Sequence, residues 1–333
     1  MISNFFKTFI TEPLNLLTRI FQKSDRVERV LQLLEIVVGG YFLLYTTIFI
    51  IKILRRLWPR NLLSRYGPDS WAVVTGGSDG IGRGFCEELA KKGFNVVLIA
   101  RNKEKLEKVA KEIQGINPKI KTRIVVANFS ESAKPGFFDQ IYKQVEDLDI
   151  SILVNNVGFG SLDYFHKVSE EEIRDLININ IYPMMMLTHK FINKLRLRKY
   201  KSGIINISSS ASMVPMPYLA PYASTKALND QFSRSLAVEY PEIDILTVRP
   251  FYVSTVLNNY KEISIDTITP NQCAWGSLMD LGRESVSYAH WKHDLMAFSM
   301  KLMPGFIRNY LVKNIILPKE LKRKEEAQKK KSI

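Results

Sequence analysis

The sequence predicts an α/β fold, a doubly wound parallel sheet preceded by an N-terminal membrane segment. Three observations lead there. From Trp71 onward, short β-branched runs alternate with amphipathic helical stretches, the pattern of strands covered on both faces by crossover helices. A glycine-rich turn follows the first of those runs. Upstream, residues 31–54 (LQLLEIVVGGYFLLYTTIFIIKIL) are almost entirely apolar.

Composition bounds the function. With 46% hydrophobic and 24% charged residues over 333 positions, the chain has enough apolar material for a core and is not a disordered one. Two cysteines, Cys86 and Cys273, exclude a disulfide scaffold and a CxxC zinc site. The four histidines, His166, His189, His290 and His293, form no ligand cluster, so no metal is expected. A net charge of +14 attracts polyanions. No basic recognition helix or aromatic RNA motif is present, which argues against nucleic acid. Part of the excess flanks the apolar run and fills the tail, where anionic lipid explains it.

In chain order, residues 1–30 come first. Phe5, Phe6, Phe9, Ile10, Leu14, Leu17, Ile20 and Phe21 recur at near-helical spacing, interrupted by Pro13. They suit an interfacial amphipathic helix or one packed on the body of the protein. Residues 31–54 hold 16 uncharged positions between Glu35 and Lys52. As a helix at about 1.5 Å per residue they reach roughly 36 Å, against a hydrocarbon core of about 30 Å. A buried helix or a cleaved signal would read similarly. The basic cluster Lys52, Arg55, Arg56 and Arg60 favours a transmembrane anchor. Strands are expected at 71–75, 95–100, 122–127, 150–154, 203–207 and 243–248. Helices are expected at 80–92, 103–114, 136–146, 169–196 and 222–239. The body runs from 70 to 317, and a basic tail occupies 318–333.

The first strand runs into Thr75-Gly76-Gly77-Ser78-Asp79-Gly80-Ile81-Gly82. Glycines there permit a tight turn and close approach to a pyrophosphate, whose charge a helix N-terminus stabilises. The second strand ends at Ala100-Arg101. An NAD enzyme usually places a carboxylate there for the ribose 2′-hydroxyl, whereas a guanidinium suits a 2′-phosphate. The expected cofactor is therefore NADP(H).

Further on come Asn155-Asn156-Val157-Gly158, then Asn180, Ser209, and Tyr222-Ala-Ser-Thr-Lys226. Tyr222 follows Ser209 by 13 residues, and Lys226 lies one helical turn beyond Tyr222. With these motifs in order over about residues 70–260, the sequence resembles the short-chain dehydrogenase/reductase family, with its Rossmann-type fold. In that reading Tyr222 is the general acid/base, Lys226 lowers its pKa and binds the nicotinamide ribose, and Ser209 orients the substrate oxygen. The resemblance gives Asn180 a water linking Lys226 to solvent. It places Gly76, Ser78, Asp79, Gly80, Ile81, Gly82, Arg101, Asn155, Pro250, Val253 and Thr255 around the cofactor. Asn128 stands near the adenine pocket where the family often has Asp. Pro250 is followed by Phe251 where the family often has Gly.

The NNVG variant, Val214-Pro215-Met216-Pro217, the PFYVST segment and the membrane run together resemble one branch, the very-long-chain 3-oxoacyl-CoA reductases. That branch includes 17-beta-hydroxysteroid dehydrogenase type 12-like proteins. The resemblance implies NADPH-dependent reduction of 3-oxoacyl-CoA in fatty-acid elongation, beside other elongation enzymes. It also implies an endoplasmic reticulum membrane location with the catalytic domain in the cytosol. Lys330-Lys331-Ser332-Ile333 fits a KKxx retrieval signal. Two sequons, at Asn128 and Asn206, should then stay bare. Residues 256–317 are the expected substrate-covering region, with 295–317 an interfacial or packed helix. A steroid or retinoid dehydrogenase and a non-catalytic membrane scaffold stay open, as does a homodimer.

Overall fold

A computed structural model describes residues 25–58, 60–256 and 262–322. The expected N-terminal amphipathic helix and the retrieval signal lie outside the described residues. The chain divides into two units, Met1–Trp58 and Pro59–Ile333. In the first unit, helix α1 (Asp25–Leu57) runs several residues past each end of the expected 31–54. Its stretch Glu28–Leu57 is long and apolar enough to cross a membrane. Its large apolar side chains, among them Ile36, Val37 and Leu43, are exposed rather than packed into a core.

The second unit opens with a short helix, α2 (Leu62–Tyr66). Arg65 and the Tyr66 hydroxyl both bond Asp244, at 2.6 and 2.8 Å. The sheet follows: β1 (Trp71–Thr75), β2 (Asn95–Ala100), β3 (Thr122–Val126), β4 (Ile150–Asn155), β5 (Ser202–Ile207) and β6 (Ile243–Val248). Seven strands pair in the order β3-β2-β1-β4-β5-β6-β9, where β9 is Val286–Ser287. Every pairing is parallel. The order reverses between β1 and β4, with Val74 opposite Leu98 on one side and Val154 on the other. Such a switch point is where open α/β sheets bind ligands, beyond the strand C-termini.

Alternation along each strand divides the core into two layers. Val74, Leu98 and Val154 pack under α3 (Gly80–Lys91) and α4 (Lys103–Ile116) with Phe85, Leu89 and Leu106. Val73, Ile99 and Leu153 face the other way, with Phe138 and Ile141 of α5 (Phe137–Lys143). The expected helix over 169–196 is two helices, α6 (Glu170–Asn180) and α7 (Tyr182–Arg196), joined at Ile181. Pro183 in the first turn of α7 has no N–H to continue the ladder into α6. Helix α8 (Ala220–Glu239) then carries the Tyr222–Lys226 turn.

Beyond β6 lie elements the sequence did not announce. The short strands β7 (Tyr252–Val253) and β8 (Thr267–Ile268) pair with each other. They are followed by α9 (Pro270–Asp280), β9, α10 (Trp291–Leu302) and α11 (Gly305–Leu311). Residues 295–317 are thus not one helix. Pro304 separates α10 from α11.

The Asn206 sequon is inaccessible. Its side chain is fully buried and bonds Asn155 and Ser233 at 2.8 Å each.

Candidate active site

Turn geometry builds the cofactor cradle. Between β1 and α3 the chain turns through Gly76 at φ +67°. A Cβ on Gly82 would sit 2.2 Å from the Gly76 carbonyl oxygen, so only glycine lets the helix start this close. Asp79 caps α3 by accepting from Gly80 N at 2.7 Å. Its second oxygen faces Lys105 at 3.3 Å. The first turn leaves the Ile81 and Gly82 amides without intrahelical acceptors, a positive end open to phosphate. Thr255 lies directly over this turn, its methyl 3.1 Å from where a Gly80 Cβ would be.

Thr75, which opens the glycine motif but was given no role of its own, joins the two halves of the switch point. Its hydroxyl accepts from Asn156 N at 2.9 Å and Val157 N at 3.0 Å, and donates to the Val154 carbonyl at 3.2 Å. Its place just before Gly76 was the available signal. Asn155 turns inward, donating to Thr188 (3.0 Å) and Asn206 (2.8 Å), so its amide ties β4 to β5 and α7. Arg101, at the end of β2, is exposed. Asn128 is exposed nearby and accepts from Ser130 N at 3.3 Å. Glycine turn and helix end together fit the pyrophosphate of a dinucleotide.

The catalytic candidates converge at the ends of β4, β5 and β6. Ser209, just past β5, lies close enough to Tyr222 to draw the phenol pKa down. Burial raises it by more, so the phenol sits above its ordinary 10. The expectation that Lys226 lowers it is not met in this state. Lys226 Nζ is 5.8 Å from the Tyr222 ring centroid and donates instead to the Ile207 carbonyl at 2.9 Å. Burial pushes the Lys226 ammonium down to about 8. Ser208, a neighbour of Ser209, is structural, its hydroxyl donating to the Lys226 carbonyl at 2.7 Å.

Asn180, the last residue of α6, is buried. It accepts from Phe159 N at 2.7 Å and donates to the Phe159 carbonyl at 2.9 Å and Thr225 Oγ1 at 3.0 Å. Its Oδ1 and Lys226 Nζ flank Gly158, at 3.5 and 3.4 Å from the position of an added Cβ. The missing side chain leaves a space that both polar groups face.

The strand after the catalytic helix is held by a pair the motifs did not name. Arg249 grips Asp230 of α8 through two 2.6 Å bonds. Pro250 follows directly, and its carbonyl accepts from Ser210 N at 2.9 Å. Val253 is buried in β7, placing Thr255 at the cradle. Across the mouth, Asp163 N donates to the Tyr218 carbonyl at 2.9 Å, and the Tyr164 and Tyr218 rings meet edge to face at 4.8 Å. Tyr218 takes a left-handed φ of +65°, costly for a residue with a Cβ.

This arrangement can bind a dinucleotide at the glycine turn and move a proton at Tyr222 Oη. Comparison with known proteins agrees. The family model of the short chain dehydrogenases matches residues 70–264. The chain is 37% identical over 254 residues to a very-long-chain 3-oxoacyl-CoA reductase of Anas platyrhynchos, covering 74% of this chain and 80% of that protein. It is 36% identical over 255 residues to the inactive hydroxysteroid dehydrogenase-like protein 1 of Homo sapiens, covering 74% and 76%. Among solved structures, a 7beta-hydroxysteroid dehydrogenase superposes with a TM-score of 0.67 at 24% identity, covering 76% of this chain and 99% of that one.

Proposed function

The chain belongs to the short chain dehydrogenase family and is an NAD(P)-dependent oxidoreductase, and from that premise we propose that it reduces long 3-oxoacyl-CoAs to 3-hydroxyacyl-CoAs with NADPH. The observation that carries the reading is Ser209 acting on the Tyr222 phenol, with Lys226 buried one turn along α8. One relative bears the name inactive, but this chain keeps Asn180, Ser209, Tyr222 and Lys226 together. That argues for catalysis over a scaffold role.

The Gly76–Gly82 turn would hold the pyrophosphate of NADPH and Arg101 its 2′-phosphate, and the bound cofactor would supply the hydride. Ser209 Oγ and Tyr222 Oη both bond the ketone oxygen and set its orientation. As charge develops on that oxygen, Tyr222 donates its proton. A phenol whose pKa is raised stays protonated at neutral pH, the form reduction needs. Lys226, held at the Ile207 carbonyl and 5.8 Å from the phenol ring centroid, would have to leave that carbonyl to stabilise the phenolate left behind. Asn180 and Lys226 face a common space over Gly158, and a water there returns the proton from solvent.

A long acyl chain favours a lipid-facing enzyme, since each buried CH₂ is worth about 0.8 kcal/mol. Helix α1 fits an anchor, and we place the enzyme in the endoplasmic reticulum membrane with its catalytic unit in the cytosol. Two buried cysteines held as thiols suit that compartment. The relatives named for hydroxysteroids carry the second reading, a steroid ketone in the same site. Following NADPH oxidation by the lipid-reconstituted protein with 3-oxoacyl-CoAs of increasing length and with 17-ketosteroids separates the two. Efficiency should rise with chain length and exceed that for steroids. Efficient steroid reduction with no long 3-oxoacyl-CoA reduced assigns the second reading.

A further inference from the structure

Among the described residues, an apolar surface is left exposed at the C-terminal end of the catalytic unit. On α10, Trp291, Leu295 and Leu302 fall at i, i+4 and i+11, one face of a helix, and each is 45% exposed. His293 and Ala297 on the far side, and Asp294 on the flank, are buried. Past Pro304, α11 presents Phe306 at 73% and Tyr310 at 63% exposure, again four residues apart. Trp275 of α9 extends the surface. It lines a cleft with His290, whose ring lies 5.7 Å from Trp291. Single exposed apolar residues are ordinary, but a run of large ones along successive helices marks an interaction surface.

Its charge says which kind. From Trp291 to Lys322 the chain has six Lys and Arg against Asp294 and Glu320, and Asp294 is buried. Lys301, Lys313, Lys319 and Lys322 are exposed in and after these helices. Two tryptophans, a tyrosine and a phenylalanine beside lysines match the headgroup boundary of a bilayer, where indoles and phenols sit and lysine heads meet anionic lipid. A second copy of the same face would bring like charges together instead.

We propose that α10 and α11 dock the catalytic unit onto the surface of an anionic bilayer, with Phe306 and Tyr310 entering the acyl boundary. The contact is interfacial. Pro304 ends α10 after 12 residues, too few to span a hydrocarbon core. This goes beyond the anchoring by α1, on which the proposed function relies, because it fixes a second membrane contact on the catalytic unit itself. The enzyme then lies against the lipid instead of hanging from a tether.

The test uses the full chain in vesicles of phosphatidylcholine with phosphatidylserine, and an environment-sensitive fluorophore on one introduced cysteine at a time. Cys86 and Cys273 are fully buried and burial raises both thiol pKa values, so they take up little label. Labels go at Phe306→Cys on the proposed face, Leu43→Cys in α1, and Lys111→Cys on an exposed side of α4. Nitroxide-bearing lipids should dim the label at 306 by about twofold or more, as expected for a group some 5–10 Å into the boundary, and leave the label at 111 unchanged. Adding Leu295→Ser and Tyr310→Ser should restore the signal at 306, with the thermal midpoint reporting that the fold is intact. Quenching at 43 with none at 306 overturns the proposal while leaving the anchor in place. Quenching at 306 with none at 43 supports it and removes the anchor reading. A label at 306 that is shielded but not quenched by lipid nitroxides means a protein covers the face, which also overturns it.

Discussion

Arg249 and Asp230 form a two-pronged ion pair, both bonds at 2.6 Å, between the end of β6 and the helix that carries Tyr222 and Lys226. Asp230 is 5% exposed, and it also meets Arg234 at 3.2 Å. The pair holds the start of the 250–255 segment, and so Thr255, in register with the catalytic helix. Removing Arg249 leaves the buried Asp230 carboxylate with the half-exposed Arg234 as its one remaining ion-pair partner among the described residues. Arg249→Leu should therefore cost about 2–3 kcal/mol, less than the 3–5 of a fully unpaired buried charge because Arg234 stays, and the double replacement Arg249→Leu with Asp230→Leu should recover much of it. A single mutant as stable as wild type in urea unfolding would show that the pair carries no such strain.

Lys226 predicts a pH-dependent conflict between stability and activity. Burial lowers its pKa from 10.5 to about 8, which makes the charged form less favourable in the fold by about 3 kcal/mol. The lost bond to Ile207 returns about 1 kcal/mol of that. A depressed lysine is penalised while charged: the cost is full below the folded pKa of about 8, shrinks as pH rises, and is gone above the unfolded value. Lys226→Met should thus be more stable than wild type by about 2 kcal/mol at pH 7, with the gain fading between roughly pH 8 and 10.5. It should be inactive throughout. A stability difference that does not vary with pH would place the cost elsewhere.

Gly158→Ala tests the proton route. The added methyl meets Lys226 Nζ and Asn180 Oδ1 at 3.4 and 3.5 Å, ordinary contact distances, so folding should be unharmed. Filling the space should lower kcat by roughly tenfold, less than the loss of the acid itself, while cofactor affinity stays near wild type. An unchanged kcat would route the proton another way.

Arg101→Ala should weaken NADPH binding by about 1.5–3 kcal/mol, the worth of a bond to a charged group, and leave NADH nearly untouched. Titration of the two cofactors decides it. Equal losses on both would remove Arg101 from the 2′-phosphate.

Much of this was legible in the sequence, for physical reasons that differ by element. Strands β1, β2 and β6 could be bounded to the residue because buried parallel strands are unbroken β-branched runs ending at turn residues. Tyr222, Lys226, Ser209 and Asn180 could be found because their chemistry fixes both residue type and spacing. The break at Ile181 was obscured by apolar periodicity that continues through it, although Pro183 signalled it. Strands β7, β8 and β9 are two residues each, too short to show any period. Arg249 and Asp230 pair across 19 residues with no local pattern. Sequence spacing placed Lys226 one turn from Tyr222 but carried no sign of the Ile207 carbonyl that its ammonium bonds. Of the two sequons, only the exposed Asn128 can report which side of a membrane the catalytic unit occupies.

The most direct test is NADPH consumption by wild type and Tyr222→Phe, each in lipid vesicles with a 3-oxoacyl-CoA of about eighteen carbons, long enough for the chain to stay in lipid. Wild type should turn over and release the 3-hydroxyacyl-CoA. Tyr222→Phe should still bind NADPH and lose at least about a hundredfold in rate, the lower bound for a missing general acid. Turnover of Tyr222→Phe near the wild-type rate, or no reduction of any long 3-oxoacyl-CoA by wild type, would contradict the account.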